Sequence, residues 1–138
     1  KSTSMNIAPQ NPEIAALEAK FREALGESFY IARGFQGGCV QAMSAATFDE
    51  ISAKIAALPA KKSFALQYVF TATAVEVSPN AQGRVMIPQA LREYAELESD
   101  ALVIGMNNRI EIWSKKRFDA FLASQQDVIA EAMEILQL

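Results

Sequence analysis

Histidine is absent from the 138 residues and cysteine occurs once, at Cys39. A lone thiol cannot form an internal disulfide, and without imidazole the usual Cys/His zinc sites cannot be assembled within one chain. The same shortages remove Ser-His and Cys-His pairs, the common activated nucleophiles. Ser-Lys or paired-carboxylate chemistry stays open in composition, yet no spacing along the chain suggests either. The sequence is therefore read as non-enzymatic, with no cofactor, no metal and no small-molecule substrate. Also missing is any run near the roughly 18 uninterrupted apolar residues that a membrane-spanning helix needs. No basic segment followed by an apolar stretch and a cleavage site opens the chain either. The expectation is a soluble, cytoplasmic protein with no membrane partner.

What is present is apolar: 51% of the residues are hydrophobic, enough for one core or for two small similar halves sharing one. Lys1-Ser2-Thr3-Ser4, ahead of Met5, reads as an expression remnant, and the native reading starts at Met5. A formal net charge of −3 argues against bulk coating of nucleic acid, but a binding site needs only local positive charge. Between Ala81 and Phe118 six basic residues face five acidic ones, a balance of +1. From Asp119 onward the charges are Asp119, Asp127, Glu131 and Glu134, all negative, so that end is not expected to face phosphate.

Local patterning gives a mixed α+β chain. A strand is expected over 71–77, then a loop, then a returning strand at Val85-Met86-Ile87. Pro88 suits the first position of a short helix reaching Ala95, with Ala90, Leu91, Tyr94 and Ala95 on one face. Ala101 to Ile104, the turn-prone Asn107-Asn108 and the alternating 109–113 read as a β-hairpin with one face buried. Ser114 can cap a helix beginning at Lys115, and a last amphipathic helix is expected from Val128 to Leu136. The linking segment 58–70 suits either helix or strand and is read as helix.

The first half repeats this order. Glu18 to Glu23 matches Pro88 to Glu93, and Thr47-Phe48-Asp49 matches Arg117-Phe118-Asp119, both 70 residues apart; Ser44 and Ser114 share the offset. Between these anchors lie Phe29 to Arg33, a turn at Gly37-Gly38, and Cys39 to Met43. A shared offset on both sides of a hairpin points to an internal repeat. With no low-complexity linker, 5–70 and 71–138 are expected to be pseudo-symmetric halves packed as one structural domain.

The block Gln82-Gly83-Arg84-Val85-Met86-Ile87-Pro88, with Leu91-Arg92-Glu93-Tyr94-Ala95 and Asn108-Arg109-Ile110-Glu111-Ile112-Trp113-Ser114, resembles the second repeat of the MraZ family. Ala19 to Gly26 and Arg33-Gly34 resemble its first repeat. The resemblance implies a swapped-hairpin, AbrB-like β-barrel with two repeats and flanking helices. It also implies ring-like homo-oligomers, nucleoid association, and binding of double-stranded DNA at repeated promoter elements near division and cell-wall genes. The implied contact loop is Asn80, Ala81, Gln82, Gly83 and Arg84. The residues themselves supply a glycine that lets backbone approach a ligand and a permanently charged guanidinium that can reach phosphate or a guanine edge.

Two departures stand out. The family's aspartate four residues before the loop arginine is here Asn80, which can still organise a turn but carries no charge. Seventy residues before Gly83 and Arg84 stand Glu13 and Ile14, so the first repeat lacks its Gly-Arg. Asn11-Pro12 and the helix formers after it would instead extend a helix through Leu25. Blander readings apply elsewhere. Arg92 is expected to pair with Glu96 at i,i+4, and Lys115, Lys116 and Arg117 to form a solvated basic face with at most auxiliary phosphate contacts. Trp113 and Met43 should pack in a core or interface, Cys39 should be a buried strand residue, and the last helix could be an oligomer contact. Two other functions remain open: a ring-forming interaction scaffold that has lost DNA binding, and an antitoxin of related fold, which would require a disordered tail.

Overall fold

Two hairpins supply the centre of the sheet. In a computed structural model describing residues 3–6, 25–79, 84–98 and 101–138, with backbone alone for 3–6 and Arg84, β2 (Phe29–Arg33) runs antiparallel to β3 (Val40–Ser44). Their connection bends through Gly37 and Gly38, at φ of 70° and 76°, where a Cβ would be strained. The second hairpin joins β6 (Ala101–Gly105) to β7 (Ile110–Ser114), closed where the Met106 amide donates to the Arg109 carbonyl at 2.8 Å.

β7 lies antiparallel beside β3, with Gln41 opposite Glu111, Val40 opposite Ile112 and Ala42 opposite Ile110. On the other side of β2 sits β4 (Val75–Val77), giving the order β4-β2-β3-β7-β6. β5 (Arg84–Ile87) pairs instead with β1 (Thr3–Asn6) as a separate two-stranded ribbon. Thr3 lies opposite Ile87 and Ser4 opposite Met86, so two residues ahead of Met5 take part in the ribbon. Ladder hydrogen bonds use the backbone, which any non-proline residue supplies. Among the described residues the sheet is open, with β4 and β6 at its edges, and not the closed barrel that the resemblance implies.

The helices follow their caps. Ser44 Oγ accepts from the Thr47 amide at 3.2 Å and starts α1 (Ala45–Ala56); Ser114 Oγ accepts from the Arg117 amide at 3.3 Å and starts α4 (Lys115–Ser124). After Pro59 the linking segment is helical, as α2 (Ala60–Leu66) and a π-helical turn (Gln67–Thr71). Thr73 Oγ1 donates to the Val69 and Phe70 carbonyls at 2.9 and 3.1 Å, completing that wider turn. It consumes Thr71 and the following turn takes Ala72 and Thr73, so the strand expected over 71–77 shrinks to 75–77. α3 (Gln89–Tyr94) begins one residue later than expected, with Pro88 as its extended N-cap. α5 (Gln126–Leu136) ends the chain. No described helix is long and apolar enough to cross a membrane.

Strand alternation divides the core between the two sheet faces. One face carries Phe29, Ile31, Val40, Ala42, Ile110 and Ile112, covered by Val85 and Ile87 of β5 and by Leu91, Ala95 and Leu97. The other carries Ala32 and Met43 with Ile55 and Phe70. There the rings of Tyr30, Phe48 and Phe70 stack in sequence, with centroids 4.1 and 5.3 Å apart. Each fully buried side chain of this size contributes about 1.5–3 kcal/mol.

Candidate nucleic-acid interface

The strand after the expected contact loop is firmly held. Val85 and Ile87 are buried in the core while Met86 between them faces out, so β5 is fixed on one side from its second residue. The strand before it is tied less strongly: Val77 packs against the same core, and β4 pairs with β2 through Phe29 opposite Val77. The backbone thus leaves the five-stranded sheet at Val77 and enters the two-stranded ribbon at Arg84, opposite Asn6. Asn80, Ala81, Gln82 and Gly83, and the Arg84 side chain, lie outside the described residues.

Most other arginines are engaged. The Arg33 guanidinium stacks over the Tyr94 ring at 4.1 Å. Arg109 donates to Glu111 Oε2 through Nε at 3.1 Å and Nη2 at 2.9 Å. Arg117 Nη1 pairs with the Glu96 carboxylate and its guanidinium lies against Gly38. This corrects the expected Arg92–Glu96 pair. The helix stops at Tyr94, Glu96 adopts φ 53°, and its turn is closed by the Leu97 amide on the Arg92 carbonyl at 2.9 Å, so Glu96 has left the helical register that i,i+4 pairing needs. Lys115 pairs with Asp119 at 3.1 Å on an exposed surface, where such a bond is worth little and is readily exchanged. The basic run is therefore partly neutralised, and Lys116 is its one cation without an ion-pair partner among the described residues.

Sequence reasoning missed the polar centre of the second hairpin. β7 was expected to bury one face, yet all five of its residues are buried. Glu111 is 8% exposed, and its other oxygen accepts from Trp113 Nε1 at 3.0 Å. Period-two alternation places Glu111 and Trp113 on one face, a signal that was readable. Trp113 and Met43 are buried as expected, and Phe118 and Phe121 pack on the indole at 5.3 and 5.2 Å. Cys39 is buried just ahead of β3, and burial, reinforced by the Glu111 charge, pushes its thiol up to about 12. Among the described residues no cluster of His, Cys, Asp or Glu is placed to hold a metal ion.

Comparison with known proteins bears on what this scaffold presents. A family model described as "MraZ protein, putative antitoxin-like" matches residues 70–137. A protein of Acetivibrio thermocellus named "Transcriptional regulator MraZ" is 38% identical over 125 residues, covering 87% of this chain and 87% of its own length. The chain belongs to the MraZ family. A second MraZ relative, from Bifidobacterium longum, is 40% identical over 114 residues, covering 81% of this chain and 75% of its own. A third, from Ligilactobacillus salivarius, is 39% identical over 120 residues, with 83% of each chain covered. Both carry the name "Transcriptional regulator MraZ". The family match takes in β4 through α5, the half that holds Arg84 and both partners of the Arg117–Glu96 pair.

Proposed function

We propose that this chain is a sequence-specific, DNA-binding transcriptional regulator acting on repeated promoter elements of the division and cell-wall gene cluster. The observation that carries the reading is similarity over most of the chain to relatives named as transcriptional regulators. The contact element is the loop Asn80 to Arg84. A strand clamped on the core from Val85 supports it, because a rigid base spends less entropy when a loop is ordered on a ligand. Arg84 supplies the fixed cation, and Gly83 lets the backbone come close to phosphate.

The proposed architecture is two pseudo-symmetric repeats, 5–70 and 71–138, packed as one domain. Support comes from the central register. Gln41 faces Glu111, its equivalent at the 70-residue offset, while Val40 and Ala42 exchange partners about them, as an approximate two-fold axis requires. With Glu13-Ile14 where the first repeat would carry Gly-Arg, each protomer offers one such loop. Useful affinity then depends on several protomers of a ring-like homo-oligomer meeting repeated sites together.

A gel-shift titration against the DNA upstream of the chain's own gene tests this. Arg84→Ala should abolish the shift while circular dichroism and particle mass stay unchanged, and wild-type binding should weaken steeply with added salt as condensed counterions are released. Unchanged affinity in the variant overturns the loop assignment, and a flat salt response overturns phosphate contact. The degenerate first repeat and the acidic last helix favour a second reading, a ring-forming interaction scaffold without DNA binding. A self-associating wild type that gives no shift would select it.

A further inference from the structure

Strand register places the tip of the second hairpin at the same end of the sheet as the proposed contact loop. Val77, the last residue of β4, lies opposite Phe29, and Phe29 lies opposite Ser44. Ala42 faces Ile110 across the β3–β7 seam, so Ser44, two residues on, is level with Asn108. The chain therefore leaves β4 toward Asn80 and Arg84 at the end where Met106, Asn107 and Asn108 turn. The glycine turn of the first hairpin lies at the other end, because Arg33 faces Val40 and Val40 faces Ile112. With neighbouring strands about 4.8 Å apart, β4 and β7 are separated by about 14 Å, close to the width of a major groove, about 12 Å.

Three features of this tip have no role in the fold. Met106, Asn107 and Asn108 are all exposed. Asn108 Oδ1 accepts from Arg109 Nη1 at 3.3 Å, and Arg109 is itself held on Glu111; an arginine can only donate, so the amide oxygen is fixed toward it while Nδ2 donates to none of the described residues. Gly105 is the third. Its φ lies outside the left-handed region, a Cβ there would meet nothing within 4 Å, and the register runs unbroken from Ala101 to Gly105 without a bulge. Glycine weakens a strand, and where neither conformation, packing nor a bulge calls for it, the reason that remains is close approach by a group from outside. Charge agrees with an anionic visitor: between Asp100 and Glu111 the one charged residue is Arg109, while Glu27 and Glu76 belong to the β2–β4 side of this end.

The geometry points to the 105–108 tip as a second DNA contact, in which Asn108 Nδ2 donates to a phosphate oxygen on the strand bordering the groove and Gly105 lets the sugar-phosphate chain come against the backbone. This contact rests on the chain being the DNA-binding protein proposed above. A phosphate contact fixes position and orientation without reading sequence, so the tip sets how the Arg84 loop enters the groove. It also gives each protomer a further anchor where the first repeat has lost its Gly-Arg. The donor is neutral, and that separates it from Arg84: its loss weakens binding without changing the number of counterions released.

The test is a gel-shift titration of full-length variants at several salt concentrations, on the DNA upstream of the chain's own gene, with circular dichroism as a check on the fold. Asn108→Ala should weaken binding about tenfold and leave the slope of log affinity against log salt unchanged, since a hydrogen bond to a charged group is lost but no cation is. Gly105→Val, which suits a strand and meets open space, should leave thermal melting unchanged and weaken binding by a similar factor. Asn108→Lys should tighten binding and steepen the slope by about one for each tip bound; Gln36→Lys, exposed on the first hairpin's tip at the far end of the sheet, should do neither. Asn108→Ala or Gly105→Val binding like the wild type, or Gln36→Lys matching Asn108→Lys, overturns the tip contact, and the Arg84 loop stands if Arg84→Ala still abolishes the shift. A wild type that shifts no DNA overturns the DNA-binding reading and the tip contact with it.

Discussion

The helices that follow Ser44 and Ser114 start alike and end differently. Both are capped by a serine hydroxyl accepting from the amide three residues on, and both carry phenylalanine at the fourth helical position, Phe48 and Phe118. α1 nonetheless buries Ile55 and holds Phe48 between Tyr30 and Phe70, whereas α4 has no buried residue and Phe118 meets only the edge of Trp113 among the rings. The cause lies downstream. Pro59 turns the chain back so that the π-helical turn drops Phe70 onto Phe48, while Gln125 leads into α5, which is itself exposed over nearly all its length. A cap and a phenylalanine thus make a helix, and the next twenty residues decide how deeply it is buried.

The largest test of this contrast is truncation. Phe70→Ala should cost about 3–5 kcal/mol in urea unfolding, as for a fully buried ring. Val128→Ala on exposed α5 should cost under about 0.5 kcal/mol in the dissociated protein. Equal losses would mean that the segments following α1 and α4 pack equally deeply. Next come the glycines of the β2–β3 turn, which lie against Trp113 and Arg117 of the second half. A Cβ at Gly37 would overlap the Trp113 ring at positive φ, so Gly37→Ala should cost about 2–4 kcal/mol. At Gly38 the neighbour is the movable tip of Arg117, so alanine there should cost only the backbone strain, about 1–2 kcal/mol. The reverse ranking by thermal melting would refute this account of the turn.

Cap removal is a finer probe. Ser44→Ala should lower global stability by about 1 kcal/mol. Ser114→Ala should instead act mainly on α4, read as faster amide exchange there with about half the global loss. Smallest at neutral pH is the Cys39 effect. Its thiol titrates near 12 in the folded chain against 9.0 for an ordinary cysteine, so the folded state holds the proton more tightly. No stability is lost below pH 9; between 9 and 12 stability should fall by up to about 1.4 kcal/mol per pH unit. Cys39→Ala should remove that slope, and an unchanged alkaline slope would assign it to other groups.

Much of the fold was legible because its signals are local. Alternation and turn residues located both hairpins, the Ser114 cap located α4, and the 70-residue offset to Ser44 located α1. The failures came where a neighbour distant in sequence decides. Arg92 and Glu96 have helical spacing, but α3 stops between them and Arg117 claims the carboxylate. Thr71 has strand propensity, yet the preceding helix widens into a π turn and consumes it. Glu111 reads as an outward polar residue until Arg109 and Trp113 close on it. The proposed contact loop rests on family resemblance alone, since a Gly-Arg pair carries no specificity by itself.

The seam between β3 and β7 also sets an order of events during synthesis. Each hairpin closes between near neighbours, but Val40, Gln41 and Ala42 must find Ile112, Glu111 and Ile110 across about seventy residues of chain. Loop-closure entropy makes that union the slow step, after both hairpins exist. Until residues 110–112 leave the ribosome, β3 is a bare apolar edge on a nascent chain, and the early half of the protein depends on protection from mispairing that the late half later provides.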